Sequence, residues 1–278
     1  MSFPQSIRRK QAATEMPSIR TWTLYRRVAQ TWRNRKTLFR NPILETKGYC
    51  TTCDRESRFV AHETWLRDHF LCQCCGSIPR ERALMATIAD FYPQWRDLVI
   101  HESSPGNRGA SVRLERECRT YTASHYFPNE ALGSQVGRYR CEDLERLTFA
   151  DESIDLHVSQ DVIEHVFDPS AVFREIARTL RPGGAHIFTV PLTKQAEPSR
   201  VRAQRSANGS IEHLESPIYH GNPIDAEGSL VTVDWGYDLC RHIFDACGLY
   251  TYLVKTDDLS RGIRAEYIEV LVTVKPGE

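Results

Sequence analysis

Beyond Pro93 the chain alternates short apolar runs with stretches of helical periodicity. DLVIHE (97–102), TYTAS (120–124), RYRCED (138–143), IDLHVSQ (154–160), AHIFTVP (185–191), TYLVKT (251–256) and YIEVLVTVK (267–275) read as strands. Ala110–Arg119, Ala171–Leu180 and Trp235–Cys247 read as helices between them, the last two stopped by Pro182-Gly183-Gly184 and by Gly248. Ahead of this region, Glu81–Tyr92 puts Leu84, Ile88 and Phe91 or Tyr92 on one helical face. Strands alternating with helices predict an α/β fold, a mostly parallel sheet covered on both faces. Its ligand is expected at the carboxyl ends of the strands, where the chain order reverses. Residues 193–234 show neither period and read as a long irregular connection, a length that points to function or disorder.

The N-terminal part has a different character. Ile19, Trp22, Tyr25, Val28, Ala29 and Trp32 recur at helical spacing, with arginines on the other face, so 19–39 reads as an amphipathic helix. Residues 1–49 hold eleven Lys and Arg against Glu15 and Glu45, and the rest of the chain carries the opposite excess. Three readings stay open: a helix packed on the main domain with a solvated basic side, a helix on an anionic membrane surface, or contact with nucleic acid or an acidic glycan. Nothing reaches eighteen consecutive apolar residues, and Arg8, Arg9 and Lys10 precede no apolar stretch, so neither a membrane span nor a secretory signal is expected.

The cysteines sharpen the picture. Cys50-x-x-Cys53 and Cys72-x-x-Cys75 are separated by eighteen residues, the spacing of a four-thiolate zinc site. Four protein ligands leave no open position, so the expected zinc is structural. Cys74 is a fifth nearby sulfur, out of register with the turn. Cys118, Cys141, Cys240 and Cys247 fall singly and read as small buried hydrophobes. An odd total of nine with two metal-type pairs suits a reducing compartment, and the protein reads as cytoplasmic, or peripheral at a membrane through residues 19–40. The expected division is a basic segment (1–47), a zinc knuckle (48–80) and the α/β domain (81–278).

The first central strand runs into Ser103-Ser104-Pro105-Gly106-Asn107-Arg108-Gly109, a glycine-bearing loop opening a helix, where backbone N–H groups can approach a ligand. Asp143-Leu144 follows a strand ahead of LTFADESIDL; then come SQDVIEHV (159–166) and RTLRPGGAHIFTVP (178–191). In this order the four segments resemble the class I, seven-stranded, Rossmann-like S-adenosylmethionine-dependent methyltransferases, in particular the type-11-like group. The knuckle, CGSIPRERAL (75–84) and YHGNPIDAEGSLVTVDWG (219–236) look like those of methyltransferases found beside bacterial surface-glycan genes. The resemblance implies that Glu102, Ser104, Gly106 and Gly109 line the methionine and ribose end of the cofactor. Asp143 would accept from the adenine amino group and Leu144 would pack on the ring. Gln160 and Asp161 would face the sulfonium and the acceptor. Two positions depart from the family pattern: Ser104 stands where a glycine is usual, and His125 where an acid grips the ribose hydroxyls.

A hydroxyl acceptor needs a base within hydrogen-bond reach. The candidates are Asp161, His165, His213 and His220, with His213–Trp235 as the expected acceptor site. Arg200, Arg202 and Arg205 suit an acidic substrate or a solvated charge run. The leading expectation is O-methylation of a glycan or small molecule. The alternatives are an RNA methyltransferase with a zinc knuckle and a catalytically lost scaffold. Between Cys50 and Arg96 six acidic residues balance six basic ones, which speaks against a phosphate-tracking knuckle and makes a nucleic-acid partner the weaker reading.

Overall fold

The computed structural model describes residues 41–278 apart from Pro223, Ala226 and Glu278; the helix expected over 19–39 lies outside the described residues. Leu44–Cys50 (β1) pairs antiparallel with Arg55–Ala61 (β2), and Leu71–Cys72 (β3) extends β2. Phe59, Ala61 and Phe70 bury beneath this small sheet beside Cys50 and Cys72. A single turn, Leu66–His69 (α1), and the helix Pro79–Phe91 (α2) lead away from it. Pro79 sits in the first turn of α2, where a missing N–H costs nothing, and Glu81 folds back to accept from the Ile78 N–H at 3.0 Å.

The main sheet is built from Val99–Ser103 (β4), Thr120–His125 (β5), Gln135–Val136 (β6), Tyr139–Cys141 (β7), Ile154–Gln160 (β8), Leu180–Thr189 (β9), and two later strands described below. Gly109–Glu117 (α3) joins β4 to β5, and Pro169–Thr179 (α4) joins β8 to β9. Chain order places β5 and β7 on one side of β4, with β8 and β9 on the other, all five parallel. The carboxyl ends of β4 and β8 therefore meet at the switch point where an α/β sheet opens a crevice. One face of the sheet (Ile100, Leu156, Ile187) packs on Leu84 and Ile88 of α2 and Leu114 of α3. Val172 and Ile176 of α4 cover the other face, against Phe188 and Leu271. Inside this apolar sheet, His101, His157 and His186 stand side by side on β4, β8 and β9. His101 Nδ1 meets His157 Nδ1 at 2.9 Å, while their other ring nitrogens meet Ser124 and Thr179 at 2.7 and 2.8 Å.

Between β9 and the end of the sheet, the structure corrects the expected irregular stretch. It holds three antiparallel ladders: Arg200–Val201 (β10) with Val233–Asp234 (β15), Ala203–Arg205 (β11) with Ile211–His213 (β12), and Tyr219–His220 (β13) with Ser229–Leu230 (β14). Strands of two or three mostly exposed residues are too short to show an alternation, so the sequence pattern does not register them. The following helix, Leu239–Cys247 (α5), begins after Trp235 rather than at it: Trp235, which follows the arm formed by β10–β15, is buried in the core with Leu239 and Ile243 and lies beside His242. Tyr250–Val254 (β16) and Val270–Val274 (β17) complete the sheet, β17 lying antiparallel between β9 and β16. The short hairpin β6–β7 makes the sheet eight-stranded where the resemblance implies seven.

Candidate active site

The loop leaving β4 is organised by a buried carboxylate. Glu102 has no exposed surface, and its oxygens accept from Ser111 Oγ at 2.5 Å, Tyr121 OH at 2.7 Å and Gln160 Nε2 at 3.1 Å. Burial pushes its pKa up against the pull of these donors. Ser111 also accepts from the Gly106 N–H at 3.0 Å, so one serine ties the loop, helix α3 and β4 together. Ser104 occupies left-handed backbone, φ +52°, the conformation that explains why a glycine is usual there. A Cβ on Gly106 would meet nothing nearer than Ser111 Oγ at 3.7 Å, so the loop backbone stays open to a ligand on that side. Gly109 is different. Its φ is +59°, and a Cβ there would stand 2.2 Å from Glu81 Oε2, so this glycine is required by α2.

The neighbouring strand ends carry the other cofactor candidates. His125 closes β5, is buried, and its Nε2 has no hydrogen-bond partner among the described residues. Burial and the Arg138 charge hold its pKa down at about 4, so the imidazole is neutral at pH 7. A neutral imidazole at the carboxyl end of β5 with an unpartnered nitrogen fits a ribose hydroxyl as donor or acceptor. Asp143 turns the chain after β7, accepting from the Glu145 N–H at 3.0 Å, and Leu144 is buried beside it. The open Gly106 backbone and the orphaned His125 nitrogen together fit the cofactor that the sequence implies.

At the end of β8 the side chains diverge. Asp161, in left-handed backbone at φ +54°, is paired with Arg67 at 2.8 Å and Arg80 at 3.0 Å, and accepts from Thr189 Oγ1 at 3.0 Å. The Arg80 and Arg67 charges overcome burial and hold its pKa at about 2. One turn further, Ile163–His165 forms a 3-10 helix, not the start of α4, and it places Glu164 and His165 toward the arm. His220 of β13 reaches this turn: its ring stands edge-on to His165 with centroids 5.1 Å apart. Its Nδ1 lies 3.7 Å from Glu164 Oε1, and this carboxylate raises the His220 pKa. His213 is exposed on β12. Thus His165 and His220 come together with Glu164. Trp235 is buried to 3% exposure and offers no stacking face.

The four expected metal ligands also converge. The Sγ atoms of Cys50, Cys53, Cys72 and Cys75 all lie within 4.8 Å of one another, and Cys74 is exposed outside the group. Cys50–Cys75 and Cys53–Cys72 are 3.8 and 3.9 Å apart. Zinc–thiolate bonds of about 2.3 Å in a tetrahedron place sulfurs about 3.8 Å apart, so the cluster fits that ion. Burial and the neighbouring thiolate push Cys53 up to about 12, a strain on ionisation that a bound cation relieves.

Residues 105–188, from the β4 loop to the end of β9, match the family model of a methyltransferase domain. Over 63 residues the chain is 43% identical to the ubiquinone biosynthesis O-methyltransferase of Parvibaculum lavamentivorans, 23% of this chain and 24% of that protein. Over 48 residues it is 46% identical to the dimethylglycine N-methyltransferase of Parasynechococcus marenigrum, 17% of each chain. It thus spans about a quarter or less of the curated relatives it matches. Among solved structures, an S-adenosylmethionine-dependent methyltransferase of Mesorhizobium loti is 18% identical, over 69% of this chain and 97% of that one, with a TM-score of 0.45. The 1,6-didemethyltoxoflavin N1-methyltransferase of Burkholderia thailandensis is 15% identical, over 72% and 79%, with a TM-score of 0.44.

Several residues in and around the matched segment escape sequence reasoning. Ser111 and Tyr121 bind Glu102, yet nothing distinguishes them from other helix and strand residues except Ser111's place in the first turn after the loop. Arg67 and Arg80 reach Asp161 from the cysteine module, with no local signal in the sequence. Glu164 was legible only as part of EHV. Among the described residues no helix is long and apolar enough to cross a membrane.

Proposed function

We propose that this chain transfers a methyl group from S-adenosylmethionine to a hydroxyl of a small molecule or glycan. The observation that carries the reading is the Glu102–Ser111–Gln160 network, which locks the carboxyl ends of β4 and β8 at the start of the matched segment. The cofactor supplies an activated methyl on a sulfonium. The protein's own task is then alignment, since an in-line displacement gains most of its rate from proximity. The backbone of Gly106 and the Ser104 turn would cradle the methionine end, with Glu102 holding the loop in place. His125 Nε2 would bond a ribose hydroxyl, Asp143 the adenine amino group, and Leu144 the ring.

The arm β10–β15 would receive the acceptor. It follows β9 and brings His220 over the end of β8, and it exposes Ile211, Leu214, Ile218 and Tyr219 beside polar groups, a surface suited to a mixed apolar and hydroxylated molecule. The acceptor hydroxyl would sit beside Glu164, His165 and His220. Hydroxyl rather than nucleic-acid acceptors are favoured because most arginines of the cysteine module and the helix after it already hold partners: Arg58 with Glu45, Arg67 and Arg80 with Asp161, and Arg82 with backbone carbonyls.

Calorimetry with S-adenosylhomocysteine tests the cofactor half of the reading, with saturable binding at one site per chain expected. Mass spectrometry of candidate acceptors incubated with cofactor tests the other half, the expected product being heavier by one methylene. A chain that binds no S-adenosylhomocysteine is not this enzyme. Transfer to RNA but to no hydroxylated small molecule or glycan would replace the acceptor class.

A further inference from the structure

We propose that Glu164, His165 and His220 bind a divalent first-row transition cation such as Zn²⁺, at a site separate from the four cysteines. One ligand atom from each residue lies within 4.8 Å of the other two. Glu164 Oε1 is 3.7 Å from both His165 Nε2 and His220 Nδ1. Metal–ligand bonds of about 2.0–2.2 Å set ligand atoms about 3.0–3.5 Å apart, so each histidine needs to close on Glu164 by only a few tenths of an ångström.

The state of Glu164 gives the strongest argument. Its side chain is 1% exposed, and neither carboxylate oxygen meets a hydrogen-bond donor among the described residues. A buried carboxylate without donors is costly and calls for a positive charge. The arginines at the end of β8 do not supply it: Arg67 and Arg80 are committed to Asp161, which also removes Asp161 from the ligand set.

His165 is already prepared as a ligand. Its Nδ1 donates to the Leu230 carbonyl at 2.8 Å, which leaves the lone pair on Nε2, the atom facing Glu164. A metal-bound imidazole characteristically has its second nitrogen fixed in this way by a carbonyl or carboxylate. His220 is 42% exposed, so the cluster is closed by protein on one side and open on the other. Three protein ligands with an open side leave room for an oxygen donor from water or a substrate, unlike the closed four-thiolate set. Two imidazoles and a carboxylate suit zinc and its first-row neighbours rather than magnesium or calcium.

The test is metal content of the full-length protein after loading with excess Zn²⁺ and desalting. His220→Ala and Glu164→Gln are each expected to retain one zinc ion fewer than the wild type. Because the readout is this difference, it does not depend on how much metal the cysteines hold. Neither cofactor nor acceptor is present, so the result is independent of the methyl-transfer reading. His220→Cys restores a ligand atom and should regain the lost ion, which separates ligation from damage to the arm. Equal zinc content in wild type and both variants would overturn the site, as would a His220→Cys protein that stays one ion short. Cobalt loading gives a second readout: the wild type should show a weaker nitrogen- and oxygen-ligand d–d component at shorter wavelength, absent in His220→Ala, beside the d–d and charge-transfer bands of the cysteine cluster. Identical spectra would equally rule the site out.

Discussion

Arg67 Nη2 donates to Asp161 Oδ2 across 2.8 Å, joining the cysteine module to the carboxyl end of β8. Both residues are mostly buried, and the same guanidinium donates through Nε to the Tyr267 carbonyl at 3.0 Å. Asp161 sits in left-handed backbone, a strained conformation that persists only where the surroundings hold it. The two arginines hold it together with Thr189, whose hydroxyl donates to the same carboxylate.

Arg67→Ala should therefore destabilise the protein by about 3–5 kcal/mol, the cost of stripping one partner from a buried charge pair. Denaturant unfolding of the two proteins reads it directly. A loss below about 1 kcal/mol would mean that Arg80 alone satisfies the carboxylate.

One zinc ion is expected at Cys50, Cys53, Cys72 and Cys75. Ligation and local folding are coupled in such clusters, so chelation should melt the module and free Arg67 and Arg80 from Asp161. The check is thiol titration before and after chelator, with four newly reactive sulfurs expected. Protein prepared without chelator that contains no zinc would refute the assignment.

The three sheet histidines predict acid sensitivity. Burial lowers His101 and His186 to about 3 and His157 well below 6.5. Their folded pKa values lie under the unfolded value, so below about pH 6.5 the unfolded chain binds more protons and stability falls as pH drops. At pH 5.5 the three together remove up to about 4 kcal/mol relative to pH 7.5, each contributing about 1.4 kcal/mol per pH unit. Melting curves at the two pH values measure it, and equal midpoints would show that the histidines are protonated inside the fold.

Two loop positions should respond in opposite directions. Ser104→Gly relieves a left-handed serine and should stabilise the fold by about 0.5–1 kcal/mol. Gly109→Ala places a methyl against Glu81 and should cost about 1–3 kcal/mol. Thermal unfolding of both variants decides it; a neutral Gly109→Ala would show that the Glu81 side chain can move aside.

What the sequence could show followed from locality. IDLHVSQ is a seven-residue strand with the bounds its pattern implies, and both C-x-x-C turns announce their cluster by spacing alone. The arm was illegible because ladders of two or three residues have no period. The ion pairs of Asp161 were illegible because Arg67 lies 94 positions away and an arginine pattern says nothing about its partner. The Glu164–His220 approach was hidden for the same reason, although each histidine was already a chemical candidate.

The fully buried guanidinium of Arg82 donates to carbonyls of Phe70 and of Gly262, the latter 180 positions away, and packs over the Phe59 ring. Gly48 and Gly262 seal the same seam, where an added Cβ would collide with Ser260 and Phe59. During synthesis the cysteine module leaves the ribosome long before the surface that closes it, which follows 180 positions behind Arg82. Until then its apolar underside faces water, and holding two such distant stretches together carries a loop-closure penalty that the full sheet must offset. Translation order thus makes the first-made piece of the described structure one of the last to be finished.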